Sequence, residues 1–139
     1  MSGEGKMGNI RKAVIVAMLA VVSGSAVAEW VEITRTDSET IYINPATVRK
    51  TGDVVKLWVL VDFRKAKSFD ESKAYLSEQM QTEYDCKEER RRTLYFIQHS
   101  KNLGAGEVVY SGTSLNKDWN PVAPGSLGET AWKFACGKM

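Results

Sequence analysis

The chain has 139 residues, of which 43% are hydrophobic and 26% are charged, and its formal net charge is +2. This length predicts one domain. The basic excess belongs to residues 1–28: without them, 16 basic and 16 acidic residues remain. A neutral domain lacks the net positive charge typical of nucleic-acid-binding domains, so we predict no nucleic-acid partner.

Residues 1–28 have the three parts of a secretory signal peptide. Three basic residues open the segment, an unbroken run of ten apolar residues follows at 13–22, and a small-x-small pattern ends at Ala28. A membrane anchor is the alternative, but ten helical residues span only about 15 Å, roughly half of a bilayer core. We therefore predict cleavage after Ala28, with residues 29–139 as the mature domain.

The predicted mature chain carries no cysteine near its new N-terminus. Because a bacterial lipoprotein needs one there, we expect no lipid anchor, and we expect no membrane span once the signal is removed. The protein is therefore expected in the periplasm or at the cell surface and beyond. Translation from Met1 or from Met7 would give the same mature chain.

The first half of the mature chain has mostly strand patterns. Alternating apolar residues predict short strands at 30–34 and 40–44, separated by a turn. Asn44 followed by proline predicts one capped helical turn. The long β-branched and aromatic run Val54–Phe63 predicts a central strand that is covered on both faces, with Trp58 in the core.

The second half begins with a polar segment, 64–73, which reads as a connection. Further strands are predicted at 74–86, where Met80, Thr82 and Tyr84 share a face, at 90–100 and at 107–113. A glycine-rich turn separates the last two. The pattern leaves open whether Glu88 and Glu89 form a tight turn or belong to one long bent strand.

The C-terminal segment has a helix pattern. Ser126 and Glu129 have the spacing of a capping box, and Gly137 is placed to end the helix. One helical face carries Leu127, Ala131, Phe134 and Ala135. We therefore predict an α+β fold: an antiparallel sheet of about five or six strands with one C-terminal helix packed on it.

Cys86 and Cys136 are the only two cysteines. An even number in an exported chain predicts a disulfide, here closing a loop of about 50 residues and stabilising the fold by about 4 kcal/mol. There is no C-x-x-C pair or zinc-ligand cluster. His99, the only histidine, lies 13 residues after Cys86. A Cys–His nucleophile would leave Cys136 unexplained.

The charged run after Cys86 gives the clearest candidate for a binding surface. It has mixed signs, so its side chains divide between the faces of a strand, where Glu88 and Glu89 can pair with arginines. The alternative is a site for an anionic polymer outside the cytoplasm. A tryptophan in a proline-containing loop is either an exposed contact or folded over the sheet edge. The candidate binding residues are Arg90, Arg91, Arg92 and Trp119.

Nothing else in the sequence forms a catalytic pattern. Carboxylates such as Asp70, Glu71 and Asp85 lack a nucleophile or metal ligand beside them in any motif. The pair His99-Ser100 is not a triad, and the glycine-rich turn lacks the P-loop lysine. We predict no enzyme activity, no cofactor and no metal site.

The order of several segments resembles the surface-adhesin protein E-like family. These segments are YINPATVRKTGDVVKLWVLVDF, YDCKEERRR, GEVVYS and the ending W-x-P-V-x-P-G-S-x-G-E-x-x-W-K-x-A-C-G-K. The resemblance implies an antiparallel sheet, a helix and a disulfide corresponding to Cys86 and Cys136. The family is named after a bacterial surface protein that binds host extracellular-matrix and plasma proteins, which implies a non-enzymatic module that binds protein or anionic polymer. The alternative is a periplasmic assembly factor or an inhibitor acting on envelope components.

Overall fold

The computed structural model describes residues 29–68 and 73–139, so the predicted signal peptide lies outside the described part. The strands are β1 (Val31–Arg35), β2 (Glu39–Thr51), β3 (Val54–Ser68), β4 (Ala74–Asp85), β5 (Arg90–His99), β6 (Val108–Thr113) and β7 (Asn120–Pro121), followed by one α-helix, α1 (Leu127–Ala135). A short 3-10 helix, Asn102–Gly104, lies between β5 and β6.

The strands form one antiparallel sheet in the order β1-β2-β3-β4-β5-β6. Each strand pairs with the one that precedes it along the chain, and the two-residue β7 adds to β5. This order follows from connections that are short enough to turn the chain directly back beside itself. The predicted α+β fold is confirmed, with β7 as a seventh, minimal strand.

The helical turn predicted at Asn44 is wrong. The segment stays in β2, and its pairing with β3 shifts between Asn44 and Arg49. The Asn44 Oδ1 accepts from the Ala46 N–H at 3.1 Å, and the Thr47 hydroxyl donates to the Asn44 carbonyl at 2.7 Å. The same hydroxyl accepts the Trp58 N–H at 3.0 Å. These bonds satisfy the backbone around the irregularity without a helix.

Strand β3 is longer and more one-sided than predicted. It continues to Ser68 through residues read as a connection, because these exposed positions admit polar side chains. Its odd-numbered side chains from Val55 to Phe63 are buried, whereas the opposite face is mostly half-buried. Trp58 lies on that second face, where its ring meets Tyr95 edge-on at 6.3 Å. The prediction that Trp58 belongs to the core is therefore wrong.

Helix α1 covers one face of the sheet and completes the core. Its N-terminus is capped as predicted, since the Ser126 hydroxyl accepts the Glu129 N–H at 3.1 Å. Ala131 and Trp132 are its most buried residues, and the predicted apolar face packs around them. The core comprises Ile41, Ile43, Val55, Leu57, Val59, Val61, Phe63, Tyr84, Ala131 and Trp132.

Two links join α1 to the end of β4. The disulfide Cys86–Cys136 is present, with 5.5 Å between the Cα atoms. The Trp132 indole N–H donates to the backbone carbonyl of Asp85 at 2.8 Å. Trp132 was absent from the predicted helical face, yet it is 4% exposed and belongs to the core, whereas Leu127, Phe134 and Ala135 are only partly buried.

The loop between β5 and β6 folds back against the second face of the sheet. Asp62 accepts the Leu103 N–H at 2.8 Å, and the Ser77 hydroxyl donates to the Lys101 carbonyl at 2.6 Å. Gly106 has φ of +79° in this loop, a conformation that favours glycine. These bonds fix the loop over the buried His99.

Candidate binding surfaces

The charged run forms a tight turn between two strands. Residues Cys86 to Glu89 connect β4 to β5, which settles the alternative left open by the sequence. The Asp85 carboxylate shapes this turn because its Oδ1 accepts the N–H groups of Lys87 at 3.0 Å and Glu88 at 3.1 Å. The turn sets the register in which Asp85 faces Arg90 across the strands.

Two of the three arginines form ion pairs with β4. The Arg90 Nε lies 2.9 Å from the Asp85 Oδ2, and the Arg92 Nε lies 2.8 Å from the Glu83 Oε1. The glutamates expected in this role, at 88 and 89, form no ion pair within the described chain because they occupy the turn. The arginine charges on this face are therefore compensated by side chains directly opposite.

The pKa of Asp85 reflects this arrangement. Burial acts to raise the pKa of the carboxyl group, since only 9% of the side chain is exposed. The backbone N–H of Glu88, the Arg90 guanidinium and the backbone N–H of Lys87 outweigh that effect, and the pKa lies below its ordinary value. Asp85 is therefore an ionised structural group at neutral pH.

Trp119 lies over both paired arginines. Its ring centre is 4.9 Å from the Arg90 Cζ and 4.2 Å from the Arg92 Cζ. Strand β7 places it there, because Asn120 and Pro121 pair with the start of β5. The indole is half-buried and remains partly open to solvent. We call this group the Arg–Trp cluster: Glu83, Asp85, Arg90, Arg92 and Trp119.

Arg91 lies apart from the cluster. Successive side chains of a strand point to opposite faces, so Arg91 faces the side of the sheet that carries α1. It lies directly opposite Tyr84 of β4. A β-carbon built on Gly128 of the helix would lie 3.3 Å from the Arg91 Nε. The structure thus brings together three of the four candidate binding residues and places the fourth against the helix.

Asp70 and Glu71 lie outside the described residues, and the other groups considered for catalysis do not converge. Asp85 pairs with Arg90 at one end of β4 and β5, whereas His99 pairs with Ser77 at the other. The His99 Nε2 lies 3.0 Å from the Gln79 amide nitrogen, and burial lowers the pKa of the imidazole. No group of three or more Asp, Glu, His or Cys side chains in the described residues could hold a metal ion.

Sequence reasoning missed a pocket on the same face of the sheet as α1. It has a volume of about 280 Å³ and is open to solvent. Its walls are Tyr75, Glu78, Met80, Phe96, Gln98 and Tyr110, with Thr93 beside them. The only signal in the sequence was the apolar side chain of Met80, which alternates onto the core face of β4. That pattern does not show which residues of β5 and β6 lie beside it.

The fold and these surfaces define an α+β domain in which one antiparallel sheet carries one helix, tied to it by a disulfide. The family model for surface-adhesin protein E matches residues 30–137. The chain belongs to the surface-adhesin protein E family, as the segments quoted above indicated. It is accordingly an adhesin-like protein of a family of surface proteins, and that family is not a class of enzymes.

Solved structures of protein E from Haemophilus influenzae have a similar fold. Crystal form II superposes with a TM-score of 0.58 at 11% identity, covering 78% of this chain and 87% of that chain. A structure from a non-typeable strain gives 0.53 at 12% identity, covering 76% and 75%. None of the curated proteins matches the chain. At such identities the likeness concerns the fold, and it does not transfer binding residues.

Nowhere in 29–68 and 73–139 does a helix have the length and apolarity that a membrane span requires.

Proposed function

We propose that the chain is exported by cleavage of residues 1–28 and acts outside the cytoplasm as a non-enzymatic module that binds a protein partner. The observation that carries this proposal is the Arg–Trp cluster. In this cluster the partly exposed Trp119 ring stacks on two arginines, at the surface of a domain from an adhesin family. Tryptophan and arginine are the residue types most enriched among the contacts that dominate binding energy.

The cluster is ordered before any partner arrives. Each arginine is held by a carboxylate, and the indole packs against both guanidinium groups, so little side-chain entropy remains to be lost on binding. The paired charges favour a protein surface over a bare anionic polymer, because Glu83 and Asp85 would repel a polyanion. A polymer such as heparin is therefore the second class of ligand to test.

Binding to immobilised extracellular-matrix proteins, plasma proteins and heparin tests the proposal. We expect the mature domain to bind at least one protein, and Trp119→Ala to weaken that binding about tenfold or more. Arg35→Ala is the control, because Arg35 also forms an ion pair, with Glu32, but that pair is more exposed and stacks on no tryptophan among the described residues. Thermal unfolding of each variant would verify that the fold is intact.

Three outcomes would contradict the proposal. The domain could bind none of the proteins, both variants could lose binding equally, or heparin alone could bind with strong salt dependence. The last outcome would favour an anionic polymer.

Export and exposure need separate measurements. N-terminal sequencing of the protein recovered from cells should begin at Glu29. Protease added to intact cells should degrade the protein while leaving a periplasmic marker whole. Recovery of the protein only in the soluble periplasmic fraction would contradict a surface adhesin.

A further inference from the structure

The pocket on the face shared with α1 is unlike the rest of the surface, because aromatic rings surround a carboxylate there. Phe96 and Tyr110 stack with ring centres 5.5 Å apart, on neighbouring strands β5 and β6. Tyr75 closes the opposite side, held edge-on against Phe63 at 5.9 Å. Glu78 lies in the wall between these rings.

The Glu78 carboxyl group is partly shielded from solvent. Its Oε2 accepts the Gln98 amide N–H at 2.9 Å, and it forms no ion pair with any described residue. Burial raises the pKa of Glu78, although the Gln98 bond and the nearby Lys67 act to lower it. A partly desolvated carboxylate without a paired cation destabilises the fold. A positive charge that enters the pocket would compensate the carboxylate and lower this cost.

Gln98 adds an unmet hydrogen-bond acceptor beside the pocket. The residue is 4% exposed, and its Oε1 has no partner among the described residues. The orientation of the amide is set by the donation of its nitrogen to Glu78. A ligand that brings N–H donors would therefore suit the Glu78 carboxylate, and the buried Gln98 oxygen adds partial negative charge behind it.

We propose that this pocket binds a lysine or arginine side chain presented by a protein partner. Aromatic faces attract cations, and the carboxylate adds charge complementarity, whereas an anion would be repelled. A purely apolar group would bury Glu78 further without compensating it. The aliphatic stem of a lysine or arginine matches the Met80 and Phe96 walls, while its charged end meets Glu78.

The size and position of the pocket favour a side chain over a free ligand. Its volume of about 280 Å³ is at the small end of the range of about 300–1,000 Å³ usual for sites that take drug-sized molecules. Tyr110 belongs to β6, the last strand of the main sheet path. A partner can lie along that edge while it inserts one side chain. The pocket is on the opposite face from the Arg–Trp cluster, so the inference is independent of that cluster.

Titration of the isotope-labelled mature domain with short capped peptides, followed by NMR, tests the proposal. The probes are acetyl-Gly-Lys-Gly-amide and acetyl-Gly-Arg-Gly-amide, with norleucine and glutamate peptides of the same length as neutral and acidic controls. We expect the cationic peptides to shift the resonances of Phe96, Gln98 and Tyr110. Glu78→Gln should weaken their binding about fivefold or more, and Glu32→Gln, an exposed acid at the far edge of the sheet, should not.

A second variant separates binding from folding. Tyr110→Ala changes a side chain that is 52% exposed, so the sheet should persist while cationic peptides lose affinity. Equal binding of the norleucine peptide, or unchanged binding to Glu78→Gln, would overturn the proposal, because a cation would then not be recognised. Absence of shifts with either cationic peptide, or shifts with the glutamate peptide, would overturn it as well.

Discussion

Removal of the disulfide is the most quantitative test of how the helix is held. The double variant Cys86→Ala/Cys136→Ala deletes a link between residues separated by 50 positions. In the chain-entropy relation, releasing a loop of that length from the unfolded state lowers the free energy of unfolding by about 4 kcal/mol. The free energy of unfolding of a domain of this size is about 5–15 kcal/mol in total. The variant should therefore still fold, but with a much lower free energy of unfolding.

The native fold should survive because other contacts still hold α1. Ala131 and Trp132 stay buried, and the indole keeps its bond to the Asp85 carbonyl. Urea unfolding followed by tryptophan fluorescence measures the loss, with near-UV circular dichroism to verify native packing. The wild-type protein treated with a reductant is the control and should give the same loss as the double variant.

Two results would refute the reasoning. A loss below about 1 kcal/mol in both the variant and the reduced protein would show that the loop is already constrained when unfolded. A variant that lacks native packing in water would show that α1 depends on the covalent link, and that the burial of its apolar face is insufficient.

Three smaller changes test other parts of the structure. Trp132→Phe should lower the free energy of unfolding by about 2 kcal/mol, since it removes the buried indole hydrogen bond to the Asp85 carbonyl and part of a buried ring. A loss within about 0.5 kcal/mol in urea unfolding would contradict this. His99 has a pKa lowered by burial, so its neutral form is the one the fold favours. Stability should therefore fall as the pH drops below about 6.5 and towards the lowered pKa, because protonation also removes the acceptor for Gln79. His99→Gln, which removes the only histidine, should flatten that part of a stability-versus-pH curve, and an unchanged slope would exclude His99 as its cause. Gly106→Ala should lower the melting temperature, because the new β-carbon would clash with the Ser100 hydroxyl oxygen at a φ of +79°, whereas Gly112→Ala meets nothing within 4 Å and should not.

The features that were predictable from sequence are those with a local cause. The cap at Ser126, the glycine-rich turn between β5 and β6 and the alternation in β4 each depend on residues a few positions apart. The disulfide needed only the count of cysteines and an expected compartment. Local chemistry also explains the failure at Asn44: an asparagine before proline suits a helical turn, but the same side chain can satisfy a strand irregularity.

Features that depend on register were not predictable. Trp58 appeared to be core because it is large and apolar, yet its face follows from its alternation with the buried residues beside it. To predict the ion pairs to Glu83 and Asp85, one would need to know at which residues the turn begins and ends. The pocket joins Glu78 to Phe96 and Tyr110 across three strands, and a single sequence does not show which positions meet across strands.

The disulfide has a consequence for the order of folding. Strands β2 to β6 each pair with the preceding strand, so this part of the sheet can grow by successive hairpins whose contacts are close along the chain. Cys86 lies in one of those hairpins, and the docking of α1 brings Cys136 beside it. We therefore expect the rate at which the thiols disappear during refolding to follow helix docking rather than sheet formation.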